Sequence, residues 1–222
     1  MPLTDAEPRV ALIHALAPSM APVNAEFERV WPECVRMNLL DDSLSADLAR
    51  AGGVLDEAMT RRFLDLADYA VGSGARGILF TCSAFGPCIE AVTQRHAGIP
   101  VLRPGEAMIA EAARIARRIA LVASFAPTLA SMPGEFPSDV EVVPVLAEGA
   151  LAALEHGDPD AHDRIVANSV KRAAAHGCDA VALAQFTMAR AAPAVRSVVS
   201  VPVLTTVGSA VAALRARMSG TA

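Results

Sequence analysis

Three blocks of this 222-residue chain recur in its second half, in the same order. Residues 74–86, GARGILFTCSAFG, lie over residues 177–189, GCDAVALAQFTMA, at a shift of 103 that sets Cys82 on Gln185. Residues 98–114, GIPVLRPGEAMIAEAAR, match 200–216, SVPVLTTVGSAVAALRA, at a shift of 102, and RVALIHA from Arg9 matches RIALVAS from Arg118 at 109. Richness in Ala and Val inflates any single match, but conserved order across three blocks points to a duplicated lobe. The first lobe is expected to take residues 1–103 with 207–222, and the second 104–206.

Each lobe alternates short apolar runs of strand length with longer helical stretches. The runs are Val10 to His14, Val35 to Leu40, Gly77 to Cys82, Pro100 to Leu102, Ile119 to Ser124, Val140 to Leu146, Ala180 to Gln185 and Pro202 to Thr206. Near-continuous apolar strands are what a parallel sheet covered on both faces demands. The fold class is therefore α/β: two pseudo-symmetric, Rossmann-like lobes, each a mainly parallel four-stranded sheet with helices on both faces. An amphipathic helix within Arg103 to Arg118 is expected to link them, and a final helix, about Gly208 to Met218, to pack back on the first lobe. No Gly/Ser linker separates the halves, so a compact pair with an active site in the cleft between them is expected.

Charge and composition narrow the partners. A net charge of −5 and only 4% aromatic residues argue against nucleic acid, which needs clustered cations and stacking platforms. No apolar run reaches the length of a membrane span, and the acidic start MPLTDAEPRV has no signal-peptide pattern, so a cytoplasmic protein is expected. Four cysteines, Cys34, Cys82, Cys88 and Cys178, form no CxxC pair and read as reduced thiols. The five histidines, His14, His96, His156, His162 and His176, form no metal-ligand cluster, so no metal is expected. A surface rich in Ala and Val permits a homo-oligomer.

In open parallel sheets ligands gather beyond the carboxyl ends of the strands. Thr81, Cys82 and Ser83 fall at such an end, with Pro87 suited to the first turn of the next helix. A thiol there, near unpaired amide N–H groups and a helix start, is expected to have a lowered pKa and to be the reactive group. Most free cysteines are small buried hydrophobes instead; that reading suits Cys88, inside a helix, and Cys34 and Cys178, which sit at strand starts. His14 closes the first strand on the same rim, as a substrate contact, a second-face acid or a structural residue. GSGARG, residues 72–77, satisfies GxGxxG but precedes a strand, the reverse of a dinucleotide fingerprint. Asp41 and Asp42 read as a solvated loop before a helix starting near Ser45.

TCSAFG followed by GIPVLRPGEAM, with GCDAVALAQ and its PVL in the second half, resembles the aspartate/glutamate racemase superfamily, which includes hydantoin racemases, maleate isomerases and arylmalonate decarboxylases. The resemblance covers essentially the whole chain. It implies an enzyme without cofactors that acts on a small carboxylic acid, with one cysteine at the third-strand end of each lobe. The first is Cys82; the second position is Gln185. Substrate contacts would come from His14, Thr81, Ser83, Ala84, Gln185, Phe186 and Thr187. Racemisation by two bases needs a proton-exchanging group on each face of the carbon, and a carboxamide can only hydrogen-bond. The readings left open are a racemase or isomerase with another second-face group, a one-thiol decarboxylase of a malonate-like acid, and a non-catalytic carboxylate-binding protein. For Gln185 itself, orienting a substrate carboxylate and capping backbone groups stand equal.

Overall fold

The structure, a computed structural model, describes residues 8–174 and 177–220. The amino-terminal stretch judged against a signal peptide lies largely outside these residues, and so does His176. The chain forms two compact units, one of residues up to Pro104 and from Ala210 onward, the other Gly105–Ser209.

The first unit holds β1 (Arg9–His14), β2 (Val35–Leu40), β3 (Gly77–Phe80) and β4 (Val101–Leu102) in the order β2-β1-β3-β4, every pair parallel. Its helices are α1 (Met20–Val30), α2 (Ser43–Arg50), α3 (Glu57–Gly72) and α4 (Gly86–Arg95). Ala11, Ile13, Ile78 and Phe80 point to one face, where Phe63, Ala67 and Ala70 of α3 and Ile89 and Val92 of α4 complete a buried cluster. Alternation sends Val10, Leu12 and Leu79 to the other face, and they are as fully buried. Burial on both faces is why these strands read as unbroken apolar runs.

The second unit repeats the plan. β5 (Arg118–Ala123), β6 (Glu141–Leu146), β7 (Ala180–Leu183) and β8 (Val203–Thr205) lie in the order β6-β5-β7-β8, again all parallel. Ala120, Val122, Val181 and Leu183 pack with Val166 and Val170 of α8 (Pro159–Ala174) and Val195 of α9 (Ala192–Arg196). Ile119, Leu121, Ala180 and Ala182 pack on the opposite face with Met108, Ile109 and Ala112 of α5 (Glu106–Ile115). Two short helices, α6 (Ala126–Ser131) and α7 (Ala150–Glu155), follow β5 and β6.

The last helix, α10 (Thr206–Met218), leaves the second unit and finishes in the first. Arg215 donates to the Val30 carbonyl at 2.6 Å, pairs with Glu33 at 2.9 Å, and stands over the Trp31 ring at 5.9 Å. Gly77 makes this approach possible, because a Cβ there would lie 2.8 Å from Met218 Sδ and 3.2 Å from Leu214 Cδ1. Gly77→Val should lower stability by about 1–3 kcal/mol, the range for overpacking a filled core; urea denaturation checks this, and an unchanged midpoint would show that α10 yields freely.

Expected strand ends shrink by one or two residues at several places. Thr81–Cys82 and Ala184–Gln185 leave the sheet and enter turns, and α2 begins at Ser43 rather than Ser45. The second correction has a cause in the loop: Asp41 accepts from the Ser43 amide at 3.2 Å and from its hydroxyl at 2.6 Å, which starts the helix early.

Candidate active site at the strand carboxyl ends

Cys82 lies two residues beyond β3 in extended backbone, φ −124° and ψ 124°, ahead of a single 3-10 turn, Ser83–Phe85, and then α4. Phe85 is fully buried, its ring 4.9 Å from that of Phe63, and this anchor fixes the turn from below. Cys82 is half-buried against the same cluster, whereas Ser83 and Ala84 are exposed around it. Cys34, Cys88 and Cys178 are all buried, two ahead of strands and one inside α4.

The thiol's acidity runs opposite to expectation. Burial pushes the Cys82 pKa above the usual thiol value, and the Ala84 backbone N–H offsets only part of that. The physical reason is that the following turn is three residues long and offers little aligned dipole, while the sulfur's partial burial penalises its anion directly. At neutral pH the group is therefore a thiol that holds its proton.

His14 ends β1 but sits behind the rim, with no exposed surface. Its Nδ1 lies 3.0 Å from Thr81 Oγ1 and 3.1 Å from Ser19 Oγ, and its Nε2 lies 3.0 Å from Asn38 Oδ1. Burial lowers its pKa, with the Asn38 hydrogen bond opposing more weakly. The ring's contacts are with Ser19, Thr81 and Asn38 rather than with solvent. Thr81, also buried, bonds inward to His14 and Ser19. The network belongs to the first unit alone, because the repeat places Ala184 at the Thr81 position and Ala123 at the His14 position.

Gln185 occupies the matching place in the second unit: half-buried, φ −127° and ψ 146°, ahead of the 3-10 turn Phe186–Ala191. Its Oε1 accepts from the Ser124 backbone N–H at 2.6 Å and the Ser124 hydroxyl at 3.0 Å. A backbone N–H can only donate, so the orientation of the amide is settled, with Oε1 toward Ser124. Of the two roles open for Gln185, the capping one is present in the structure. Phe186 is buried and Thr187 half-buried.

Asp41 is not an open cation site. Burial raises its pKa, but hydrogen bonds from Ser43 and Arg62 outweigh this and hold it below the usual carboxylate range. Arg62 bridges Asp41 and Asp47 at 2.6 Å each. A hollow of about 400 Å³ in the first unit, lined by Pro8, Arg76, Pro100, Arg217 and Met218 among others, opens at the amino ends of β1, β3 and β4, opposite the thiol; ligands of open parallel sheets gather at the carboxyl ends. Large exposed apolar side chains do stand at those ends: Leu16 after β1 and Leu40 closing β2, and in the second unit Phe125 after β5 and Leu146 closing β6.

Sequence reasoning missed Ser19, Asn24, Asn38 and Ser124. Asn38 left a signal, since asparagine is depleted in strands and sits here inside β2. The other three carry none.

This two-unit α/β fold is that of the racemase structures. It is shared with an aspartate racemase homologue from Pyrococcus horikoshii OT3, 17% identical with a TM-score of 0.74 over 95% of this chain and 99% of that one. It is shared equally with the allantoin racemase of Klebsiella pneumoniae, 19% identical, TM-score 0.74, covering 96% and 88%. An unliganded arylmalonate decarboxylase is 16% identical, with a TM-score of 0.64 over 97% and 94%. At these identities the likeness is one of fold. No protein-family model matches the chain, and no curated protein matches it. Among the described residues no helix is long and apolar enough to cross a membrane.

Proposed function

We propose that this chain is an enzyme of the Asp/Glu racemase superfamily that uses Cys82 to transfer a proton at the carbon next to the carboxylate of a small acid. The observation that carries the reading is the pairing of unlike groups at the two repeat-related turns: a proton-holding thiol at 82 and a carboxamide, engaged by Ser124, at 185. A group that holds its proton at neutral pH is suited to deliver it. A carboxamide exchanges no protons, so the second face has no acid or base at the expected place.

One-sided chemistry follows from that asymmetry. In a malonate-like acid the bond from the central carbon to one carboxylate breaks, its electron pair passes into an enediolate, and carbon dioxide leaves. The enediolate carbon then takes the Cys82 proton, and water reprotonates the thiolate. In this reading the exposed Ser83 hydroxyl and the turn's amide N–H groups other than that of Ala84, which serves the thiol, donate to the retained carboxylate. Leu16 and Leu40 at neighbouring strand ends favour an acid with an apolar substituent over one with a further charge. Racemisation or isomerisation is the second reading, favoured by the fold shared with racemases, and it requires another group opposite the thiol.

The test is alkylation with iodoacetamide at mildly alkaline pH, followed by peptide mass spectrometry, with and without a panel of dicarboxylates, hydantoins and arylmalonates. Cys82 should react first, because Cys34, Cys88 and Cys178 are buried and burial pushes Cys34 up to about 12. That order follows from burial and its effect on acidity, whatever the chemistry. The decisive result is protection of Cys82 by a carboxylate, at least about tenfold at saturation, with carbon dioxide release or α-proton exchange from the same compound. Protection without either reaction would make the chain a carboxylate-binding protein; no protection by any panel member would sink the proposal.

A further inference from the structure

We infer that His14 is a positioning residue, acting through the Thr81 hydroxyl to set where the Cys82 thiol stands; this rests on reading Cys82 as the reactive group. The inference comes from locating every proton in the buried network, starting from atoms whose roles are fixed. The Met20 carbonyl can only accept, and it takes Asn24 Nδ2 at 2.8 Å, which orients the Asn24 amide. Asn24 Nδ2 also donates to Asn38 Oδ1 at 2.9 Å, and Asn38 Nδ2 donates back to Asn24 Oδ1 at 3.2 Å. The Asn38 atom 3.0 Å from His14 Nε2 is thus an oxygen, and His14 must carry its proton on Nε2.

A ring with no exposed surface and no anionic partner is neutral. Its Nδ1 is then bare and needs a donor. Two hydroxyls are in reach, Thr81 at 3.0 Å and Ser19 at 3.1 Å, but the Ser19 proton goes to the Leu16 carbonyl at 2.7 Å, its shortest contact. Thr81 supplies the hydrogen: the Ile13 carbonyl, a third acceptor in reach, is farther at 3.4 Å and already takes the Thr81 N–H, and Ser19 Oγ, 2.9 Å away, shares the hydrogen as a second acceptor. The chain of donors runs from Thr81 to His14 to Asn38, the first step set by the need of the bare Nδ1 for a donor and the second by the Asn38 oxygen.

Two consequences bear on the site. The Thr81 hydroxyl has no proton to offer a substrate carboxylate, so the donors at this turn are Ser83 and the backbone amides. Residue 81 is also pinned twice, through its hydroxyl to His14 and through its N–H to the Ile13 carbonyl at 3.1 Å, immediately before the thiol. The second unit keeps the backbone half of this brace, Ala184 N–H to the Val122 carbonyl at 2.9 Å, but with Ala184 and Ala123 in these places it lacks the hydroxyl–imidazole half, and it carries no thiol to brace.

The test combines a spectroscopic readout with a matched pair of variants in the full chain. Proton–nitrogen correlation spectra of the imidazoles should show His14 protonated on Nε2 and bare on Nδ1 through neutral pH. Thr81→Val, which keeps the shape and removes the hydroxyl, should slow iodoacetamide alkylation of Cys82 about three- to tenfold, the size of effect one net hydrogen bond carries, as the sulfur loses its alignment with the Ala84 amide. Thr81→Ser should restore the rate, and alkylation of unfolded controls should be equal for all three. An Nδ1-protonated His14, or a Thr81→Val rate within a factor of about two of the parent, overturns the inference. If the brace holds while no carboxylate protects Cys82, the inference stands and the proposed reaction fails.

Discussion

Cys82→Ser should lower kcat by about 10²–10⁴, the contribution of a positioned proton donor, while the melting temperature moves little. Serine replaces sulfur with a smaller oxygen at a half-buried position and keeps a hydrogen-bonding group beside the Ala84 amide, so the fold loses little; its hydroxyl, far less acidic than a thiol, gives up a proton poorly. The pH dependence follows from the direction of the Cys82 shift. Because burial raises its pKa, the proton-holding form persists through neutrality, and the rate should fall only as pH rises through that raised value. The serine variant should lack this alkaline limb. Turnover retained in Cys82→Ser, assayed on whichever acid protects the thiol, would transfer the chemistry to another group.

Gln185→Cys should create what the parent lacks, exchange of the α-proton into deuterated water from both enantiomers of an amino or aryl acid, followed by proton NMR. The substitution puts a titrating group at the position the repeat pairs with Cys82. It also removes the acceptor of the Ser124 N–H and hydroxyl, and two donors left without it should cost about 1–3 kcal/mol in stability. The same donors are available to hold a thiolate, as the Ala84 N–H is for Cys82. Gln185→Ser, with the same loss of the Ser124 partner and no thiol, should be destabilised without gaining exchange. If the cysteine variant folds yet exchanges no more than the serine one, the missing second thiol does not account for the native chemistry.

Much of the architecture was legible because burial on both faces writes itself into composition along the strand. Leu12, Leu79 and Leu121, neighboured by apolar residues on both sides, could belong only to covered sheets, and the repeat then assigned each run its place. The turns after β3 and β7 were legible for the same reason, since Cys82 and Gln185 interrupt apolar runs at matched positions. Depth was not legible. His14 and Thr81 look like rim residues in one dimension, yet they face inward because Ser19 just ahead of α1, Asn24 in α1 and Asn38 in β2 build a polar pocket around them. The direction of the Cys82 shift was misread for a related reason: the helix start beside it was evident, but not the hydrocarbon of Phe80, Phe85 and Ile89 in the cluster beneath.

The interleaving of the two units sets an order on biosynthesis. Gly105–Ser209 is one unbroken stretch, so it can close its own core as soon as it clears the ribosome. Its partner stays unfinished until α10 arrives with Leu214 and Met218 to cover Gly77. Until then the face of β3 at Gly77 lacks the Leu214 and Met218 side chains that lie against it. The half that bears the thiol is thus completed last, although it is translated first.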